Sequence, residues 1–381
     1  MEIRALDLDE FDRTRELRRQ AFGPFPDAWE RVREANRPLA EAGRLLGTVE
    51  DGRVVATTTL HEQTQWWHGR AVSLAGFGGV TVAAERRGRG LGRAMVTVAL
   101  RRAVDLGHAL AMLYPATTPI YRSLGWEHAG ALDEVELNPE ALRRLAAAPL
   151  EARRAGPGDA ARVAELVARL HRDNGDCGPV GWTEDRWRYL LSRPETDSYL
   201  AEDGFLSYRW GPRPGELEVS RVVAGSEETA RGLWALVGSG SSIADRVRAN
   251  VAADDPVLWL VSERTDDRVR RQRWMLRVLD VRAALEGRGY PQGVSASVTF
   301  TLDDPHVPAN DGTWRLSVAD GAATVETAAA PADVRLGARG LSALYAGVPA
   351  ATLRRTGLLD GGEKAPLDAV FTARAFSLDF F

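Results

Sequence analysis

Residues 80–92 read Val80-Thr81-Val82-Ala83-Ala84-Glu85-Arg86-Arg87-Gly88-Arg89-Gly90-Leu91-Gly92: an apolar strand, a bend rich in glycine and arginine, and the opening of a helix. Val96, Ala99, Leu100 and Ala103 then recur at i, i+3, i+4 and i+7. That spacing predicts a helix from about Leu91 to Leu106 with one apolar face, closed by Gly107. Glycines let a ligand approach the backbone, and a helix start presents unpaired N–H groups at the positive end of its dipole. The bend therefore suits a phosphate or pyrophosphate, with Arg86, Arg87 and Arg89 adding charge-assisted contacts. A solvated basic turn would have the same composition, so on glycine and arginine content alone both readings stand. A phosphate loop ending in Gly-Lys-Ser/Thr is excluded because that ending is missing. The dinucleotide fingerprint is excluded by its spacing and by the three strands ahead of the bend.

Those strands set the class. Leu45–Val49 and Val54–Leu60 flank Asp51-Gly52, a strong hairpin signal, and Ala71–Val82 follows a turn at His68-Gly69. A helix is expected over Glu10–Phe22 and a short strand over Ala109–Tyr114. Pro139–Gly158 has the composition of a boundary. Beyond it, a helix over Asp159–Arg172, a hairpin over Tyr199–Trp210 and a helix over Arg231–Val237 echo the first third as a second copy of one architecture. After Arg282 come short strands over Ser297–Leu302, Thr313–Val318 and Ala323–Thr327, then a helix around Leu341, Leu344 and Tyr345. The fold class is α/β (α+β), and 381 residues suit two or three domains at roughly 150 residues each.

Composition excludes several function classes. With 44% hydrophobic and 27% charged residues the chain reads as an ordinary globular protein. No stretch approaches the roughly 20 apolar residues of a membrane span. The first residues lack the apolar core of a signal peptide, so a cytoplasmic location is expected. A net charge of −4 gives no footprint for nucleic acid. One cysteine, Cys177, and six scattered histidines lead us to expect neither a disulfide framework nor a metal site. Lys364 is the sole lysine, so Schiff-base chemistry would have to run through it.

Arg87-Gly88-Arg89-Gly90-Leu91-Gly92 matches Arg/Gln-x-x-Gly-x-Gly/Ala, and Pro119-Ile120-Tyr121-Arg122-Ser123-Leu124-Gly125-Trp126 resembles a Tyr-x-x-x-Gly-aromatic segment. In this order and separation the two resemble the acetyl-CoA loop and fifth-strand segment of the GNAT acetyltransferases. The similarity extends along nearly the whole chain to the enhanced-intracellular-survival (Eis) type, which has an active GNAT domain, a degenerate GNAT domain and a sterol-carrier-like domain. Here these correspond to residues 1–145, 146–284 and 285–381. In the last part the matching residues are Asp304, Pro308, Asn310, Asp311, Gly312, Trp314 and Leu316, then Leu341, Ser342, Leu344, Tyr345 and Gly347. In the middle part Val222–Trp234 stands where an acetyl-CoA loop would be. It carries acids instead of arginines and lacks Gly-x-Gly, so this domain is expected not to bind the cofactor.

The resemblance implies acetyl-CoA held by Val80, Val82, Arg87, Gly88, Gly90, Leu91 and Gly92, Tyr121 as general acid, and the chain's own C-terminal carboxylate, here on Phe381, as base. A phenol beside a thioester sulfur can protonate the departing thiolate; without the motif, Tyr121 reads as a core tyrosine. Phe376, Leu378 and Phe380 alternate with Ala375, Ser377 and Asp379, a strand period that suits a tied-down end and equally a strand that merely completes a sheet. Asp27 and Trp29 fall in the loop that covers the acceptor in GNAT folds, where an acid beside an aromatic suits a cationic amine. The family often places acids near this pocket, but Phe380 brings no charge. The expected acceptor is an aminoglycoside-like polyamine. A lysine or N-terminal amine of a protein is the alternative, and a lipid-carrier or scaffold role is the alternative of another class. The resemblance also implies a homo-oligomer, a hexamer of paired trimers. Trp66-Trp67 is expected at an oligomer contact, and Cys177 is expected to be non-catalytic.

Overall fold

The computed structural model describes residues 2–24, 28–146, 149–262 and 269–381. Two compact units emerge. One holds residues up to 129 together with 274–374 and Phe381; the other holds 130–273 with 375–380. The first begins with β1 (Arg4–Ala5), α1 (Leu8–Asp12), α2 (Arg15–Phe22), α3 (Trp29–Ala35), α4 (Arg37–Glu41), β2 (Leu45–Glu50), β3 (Arg53–Trp67) and β4 (Arg70–Val82). It continues with α5 (Leu91–Asp105), β5 (Leu110–Leu113) and α6 (Thr118–Arg122). The helix expected over Glu10–Phe22 is two helices. Thr14 is buried between them, and its hydroxyl donates to the Phe11 carbonyl at 2.7 Å, which competes with continued helix.

Asp51 and Gly52 take positive φ (47° and 75°) between the pair Glu50↔Arg53, and His68 and Gly69 do the same between Trp67 and Arg70. These two-residue turns match the right-handed twist of the strands they join. Helix α5 then buries Leu91, Met95, Val96, Ala99, Leu100 and Ala103 and returns the chain to β5, which runs parallel to β4.

After β6 (Glu127–Leu137), the second unit contains α7 (Pro139–Arg143), β7 (Arg153–Arg154), α8 (Ala160–Asp173), β8 (Val180–Trp182), α9 (Glu184–Leu191), β9 (Asp197–Leu200) and β10 (Gly204–Trp210). There follow β11 (Glu216–Ala224), α10 (Glu227–Gly238), β12 (Arg246–Val251) and α11 (Val257–Leu260). Its strands run β6-β12-β11-β10-β9-β7. The β11–α10–β12 crossover is parallel, from Glu216↔Arg246 to Val219↔Ala249, and repeats the β4–α5–β5 arrangement.

Strand β13 (Arg270–Val278) pairs antiparallel with β5 from Met275↔Leu113 to Val278↔Leu110. The C-terminal part of the first unit is α12 (Val281–Gly287), β14 (Ala296–Asp303), β15 (Gly312–Ala319), β16 (Ala322–Thr327), β17 (Val334–Gly337), α13 (Ala338–Tyr345), α14 (Ala350–Arg355), β18 (Leu359–Gly361) and α15 (Leu367–Phe371). Its sheet order is β16-β15-β14-β17-β18.

The Asp304-to-Trp314 pattern is a buried polar knot. The Asp304 carboxylate receives Arg277 Nη2 at 2.5 Å, Asn310 Nδ2 at 3.0 Å and the Val307 N–H at 3.2 Å. Trp314 Nε1 donates to the Asn310 carbonyl at 2.9 Å. Arg277 and Asp304 are both 0% exposed, so each charge depends on the other for the loss of water.

Trp66 and Trp67 are 5% and 0% exposed, which corrects the expected oligomer contact. The Arg288 guanidinium lies 4.5 to 5.4 Å from the rings of Trp67, Tyr290, Tyr345 and Phe371 and donates to the Tyr345 carbonyl at 2.5 Å. The tip of the β3–β4 hairpin is thereby consumed inside its own unit. Among the described residues no helix is long and apolar enough to cross a membrane, and no cluster of three or more His, Cys, Asp or Glu could hold a metal ion.

Candidate active site

Strands β4 and β5 part company. Their pairing runs from Leu74↔Leu110 to Gly76↔Met112, and β4 then continues to Val82 while β5 stops at Leu113. Phe77 to Val82, including Val80 and Val82, therefore have no β5 partner on that edge, which leaves backbone groups that a ligand can pair with. Within this stretch two residues, Gly79 and Val80, oppose the single Thr58 of β3, so β4 bulges at Gly79 (φ 61°). A Cβ at Gly79 would lie 2.6 Å from the Arg18 Nη1 of α2, and Arg18 Nη2 donates to Thr59 Oγ1 at 2.9 Å.

The bend follows at once. Gly88 and Gly90 take φ of 74° and 78° with nothing within 4 Å of where a Cβ would stand, so they are required by conformation rather than by crowding. Gly90 is the N-cap of α5 and supplies no side-chain cap, so the first amides of a 15-residue helix face outward unsatisfied. Gly92 sits 3.8 Å, measured from its would-be Cβ, from Ile120 and from Val82, and Leu91 is buried beneath. Arg86 pairs with Glu50 at 2.6 Å, and Arg87 Nε donates to the Val82 carbonyl at 3.1 Å. Arg89 is exposed on the open side of the bend.

The equivalent place in the second unit is closed. Ser226 caps α10 by accepting from the Thr229 N–H at 3.3 Å, and Glu227 and Glu228 occupy its first turn. An already satisfied amide beside two carboxylates offers no seat for a pyrophosphate. In addition, Phe376 and Leu378 help line the small cavity bounded by Val222, Ala224 and Trp234 at the ends of β11 and α10.

Tyr121 lies on α6, set there by Pro119 in the first turn, and is 7% exposed. Its ring meets Trp126 edge-on at 6.2 Å, and Trp126 in turn meets Phe77 of β4 at 5.2 Å. Burial raises the phenol above its ordinary value of 10.0. The hydroxyl makes no hydrogen bond to another described residue. A protonated phenol with its oxygen uncommitted is poised to give a proton.

The chain end is pinned, though not as the regular strand expected from its alternation. Within the second unit it makes a single parallel bridge, Ala131↔Phe376. The Phe376 N–H donates to the Cys177 carbonyl at 3.0 Å, the Ser377 N–H to the Ala131 carbonyl at 2.9 Å, and Asn250 Nδ2 to the Leu378 carbonyl at 3.0 Å. Asp379 pairs with Arg221. Ser377 Oγ bonds both the amide and the carbonyl of Asp379, which turns the chain away from a ladder.

In the first unit Phe381 lies against β4. Its Cε2 is 2.8 Å from where a Gly76 Cβ would stand, and its carboxyl carbon is 3.9 Å from that point at Gly78. Tyr114 and His61 meet its ring edge-on at 5.9 and 6.1 Å. Glycine at both 76 and 78, on one face of one strand, clears the lane the last residue occupies. Sequence reasoning passed over these glycines and His61. The signal was there, since glycine repeated inside a strand marks a bulge or a close approach.

Of the two acceptor-loop residues, Asp27 lies outside the described residues. Trp29 is core: it is 5% exposed, stacks on Phe11 at 5.5 Å, and its Nε1 donates to Asp12. These contacts fix the indole on α1. Lys364 is exposed, away from any of these groups in sequence.

Three family models match the chain. Two are described as acetyltransferase (GNAT) domains, over residues 2–129 and 178–278, and one as a sterol carrier protein domain, over 281–378. The N-acetyltransferase Eis of Mycobacterium tuberculosis is 30% identical over 304 residues, covering 72% of this chain and 70% of that protein. The solved structure of a GCN5-related N-acetyltransferase from Kribbella flavida superposes with a TM-score of 0.94 at 42% identity, covering 100% of this chain and 98% of that one. Eis1 from Mycobacterium abscessus, at 23% identity, shares the fold with a TM-score of 0.76 over 100% of both chains.

Proposed function

This chain belongs to the Eis-type N-acetyltransferases of the GNAT superfamily, mixed α/β acyltransferases ending in a sterol-carrier-type domain, and on that premise we propose that it acetylates primary amines of aminoglycoside-like polyamines by direct transfer from acetyl-CoA. The observation that carries this reading is the Phe381 carboxyl beside Gly78, on the stretch of β4 that β5 leaves unpaired.

Acetyl-CoA supplies the acetyl thioester. The unsatisfied amides at the start of α5, with Arg87, Gly88, Gly90, Leu91 and Gly92, suit its pyrophosphate. The open edge of β4 at Val80 and Val82 suits its amide-bearing arm. Backbone N–H groups along that edge can hold the carbonyl oxygen as charge develops on it. The Phe381 carboxylate draws the proton from the attacking amine, directly or through water, and Tyr121 protonates the leaving sulfur. By kinship the enzyme works as a hexamer of paired trimers in the cytoplasm, with domain limits near residues 145 and 284.

The test is a single residue appended after Phe381, which turns the carboxylate into an amide and moves the new one about 3.8 Å along the chain. The expected outcome is a loss of turnover of about 100-fold or more with acetyl-CoA affinity intact. Full activity in the extended chain would refute the base. Kanamycin-like sugars assayed against lysine peptides decide the acceptor, and activity confined to peptides refutes the polyamine assignment.

A further inference from the structure

The two faces of the second unit's sheet are unlike. Leu206 of β10, Leu217 of β11 and Val247 and Ala249 of β12 share a core with Leu233 and Trp234 of α10. Strand residues alternate between faces, so Ser207, Arg209, Glu218, Arg248 and Asn250 belong to the other side. Helix α9 stands over that side without filling it. A cavity of about 390 Å³ lies there, walled by Trp187, Leu190 and Leu191 of α9 and floored by the polar strand residues. A sheet face covered for packing alone would carry apolar side chains.

Arg221 is the group this floor leaves open. Tyr208 pairs with Val219 and Ser207 with Arg221, so β11 bulges at Ser220. The bulge shifts the alternation by one residue and turns Arg221 to the same face as Glu218, where it lines the cavity. Arg221 is 4% exposed, and its guanidinium lies 4.7 Å from the ring of Trp187. Nη2 pairs with Asp379. Nε and Nη1 bond no described residue, although a guanidinium carries five N–H donors. The other charges around the cavity have their partners. Arg209 pairs with Glu218 at 2.6 Å, and Arg193 with Glu195 at 2.9 Å. Arg248 takes Glu134 at 2.7 Å and the fully buried Glu216 at 3.1 Å. Arg186 lies 4.9 Å from the ring of Trp182.

We propose that this cavity binds a small monocarboxylic acid, with its carboxylate on Arg221 and its apolar body against Trp187, Phe205 and Leu190. The assignment is independent of the transferase reading. Charge-assisted bonds between guanidinium and carboxylate are among the strongest available to a small ligand, and Arg221 has donors left for one. Gln272, whose side-chain amide bonds no described residue, adds a donor on the same wall. Glu134 and Glu218 repel a second negative charge, which selects one carboxylate over two. The volume lies in the range of small-molecule sites, roughly 300–1,000 Å³.

The experiment titrates the full-length protein by calorimetry with benzoate, phenylacetate and indole-3-acetate, and with the amide of each. At least one acid should bind once per chain with a Kd of about 1 mM or tighter. Its amide, which keeps the shape and loses the charge, should bind about tenfold more weakly or worse. Arg221→Gln should cause a similar loss. Leu190→Trp, which fills the cavity from α9 and leaves Arg221 in place, should abolish binding, with melting curves confirming that each variant is folded. Binding should persist at saturating coenzyme A, because the bend before α5 is a separate seat for anions. No acid bound at about 10 mM, an acid and its amide bound alike, or binding that survives both folded variants overturns the proposal. Displacement by coenzyme A assigns the acid to the bend and overturns it as well.

Discussion

Replacing Tyr121 with phenylalanine removes one oxygen and leaves the packing of the ring alone. The hydroxyl bonds no other described residue, and the ring keeps its edge-on contact with Trp126 at 6.2 Å. The stability cost should therefore stay within about 0.5 kcal/mol, as for changes that break no buried interaction. If the phenol supplies the proton to the departing thiolate, its loss should lower kcat by about 10²–10⁴-fold, or about 3–5 kcal/mol of barrier. Thiol release at saturating acetyl-CoA and amine gives kcat, calorimetry gives the acetyl-CoA affinity, and melting gives the stability.

The pH dependence adds a second check. A general acid works only while protonated, so activity falls as pH rises through its pKa. Burial raises Tyr121 above 10.0, so this alkaline limb belongs above pH 10. A Tyr121→Phe enzyme within fivefold of wild-type kcat, or a wild-type limb near pH 8 that the variant abolishes, would refute the role or the environment assigned to it.

Three further outcomes follow from the same structure. Gly90→Ala meets no neighbouring atom but must hold φ near 78°, so acetyl-CoA affinity should fall about fivefold for roughly 1 kcal/mol of backbone strain, measured by calorimetry with folding unchanged. Asp304→Ala should cost about 3–5 kcal/mol in urea unfolding, because Arg277 is left charged and fully buried. His108, which accepts from Arg44 Nη1 at 2.8 Å, is pushed down from 6.5 to about 4, first by burial and then by Arg44. Between those pH values the unfolded chain binds a proton that the folded one refuses. Stability should therefore fall by up to about 3 kcal/mol as pH drops from about 6.5 to about 4, and His108→Gln should remove that slope in urea midpoints.

How well each element could be read along the chain depended on how local its causes were. The turns at Asp51-Gly52 and His68-Gly69, the helix behind Gly90 and the acids at 227 and 228 act on their immediate neighbours, and all four were visible in order and spacing. Trp66-Trp67 was misjudged because a large aromatic looks alike from sequence whether it meets a partner subunit or its own core. What decided it was the setting of Arg288 and Tyr345 around Trp67. The alternation of Phe376, Leu378 and Phe380 was a true apolar pattern with the wrong outcome. Ser377, through its hydroxyl bonds to Asp379, turned the chain after one bridge.

From the order of residues alone came the glycine- and arginine-rich bend, the repeated crossover and the resemblance to acetyltransferases, because a helix cap, a glycine at positive φ and a strand period are settled within a few residues. Only the tertiary structure put Phe381 across Gly76 and Gly78, next to His61 and more than 300 residues along the chain from it. That meeting depends on where the sheet splays and which strand positions lack a side chain. It is a property of packing at long range, which no short window of sequence contains.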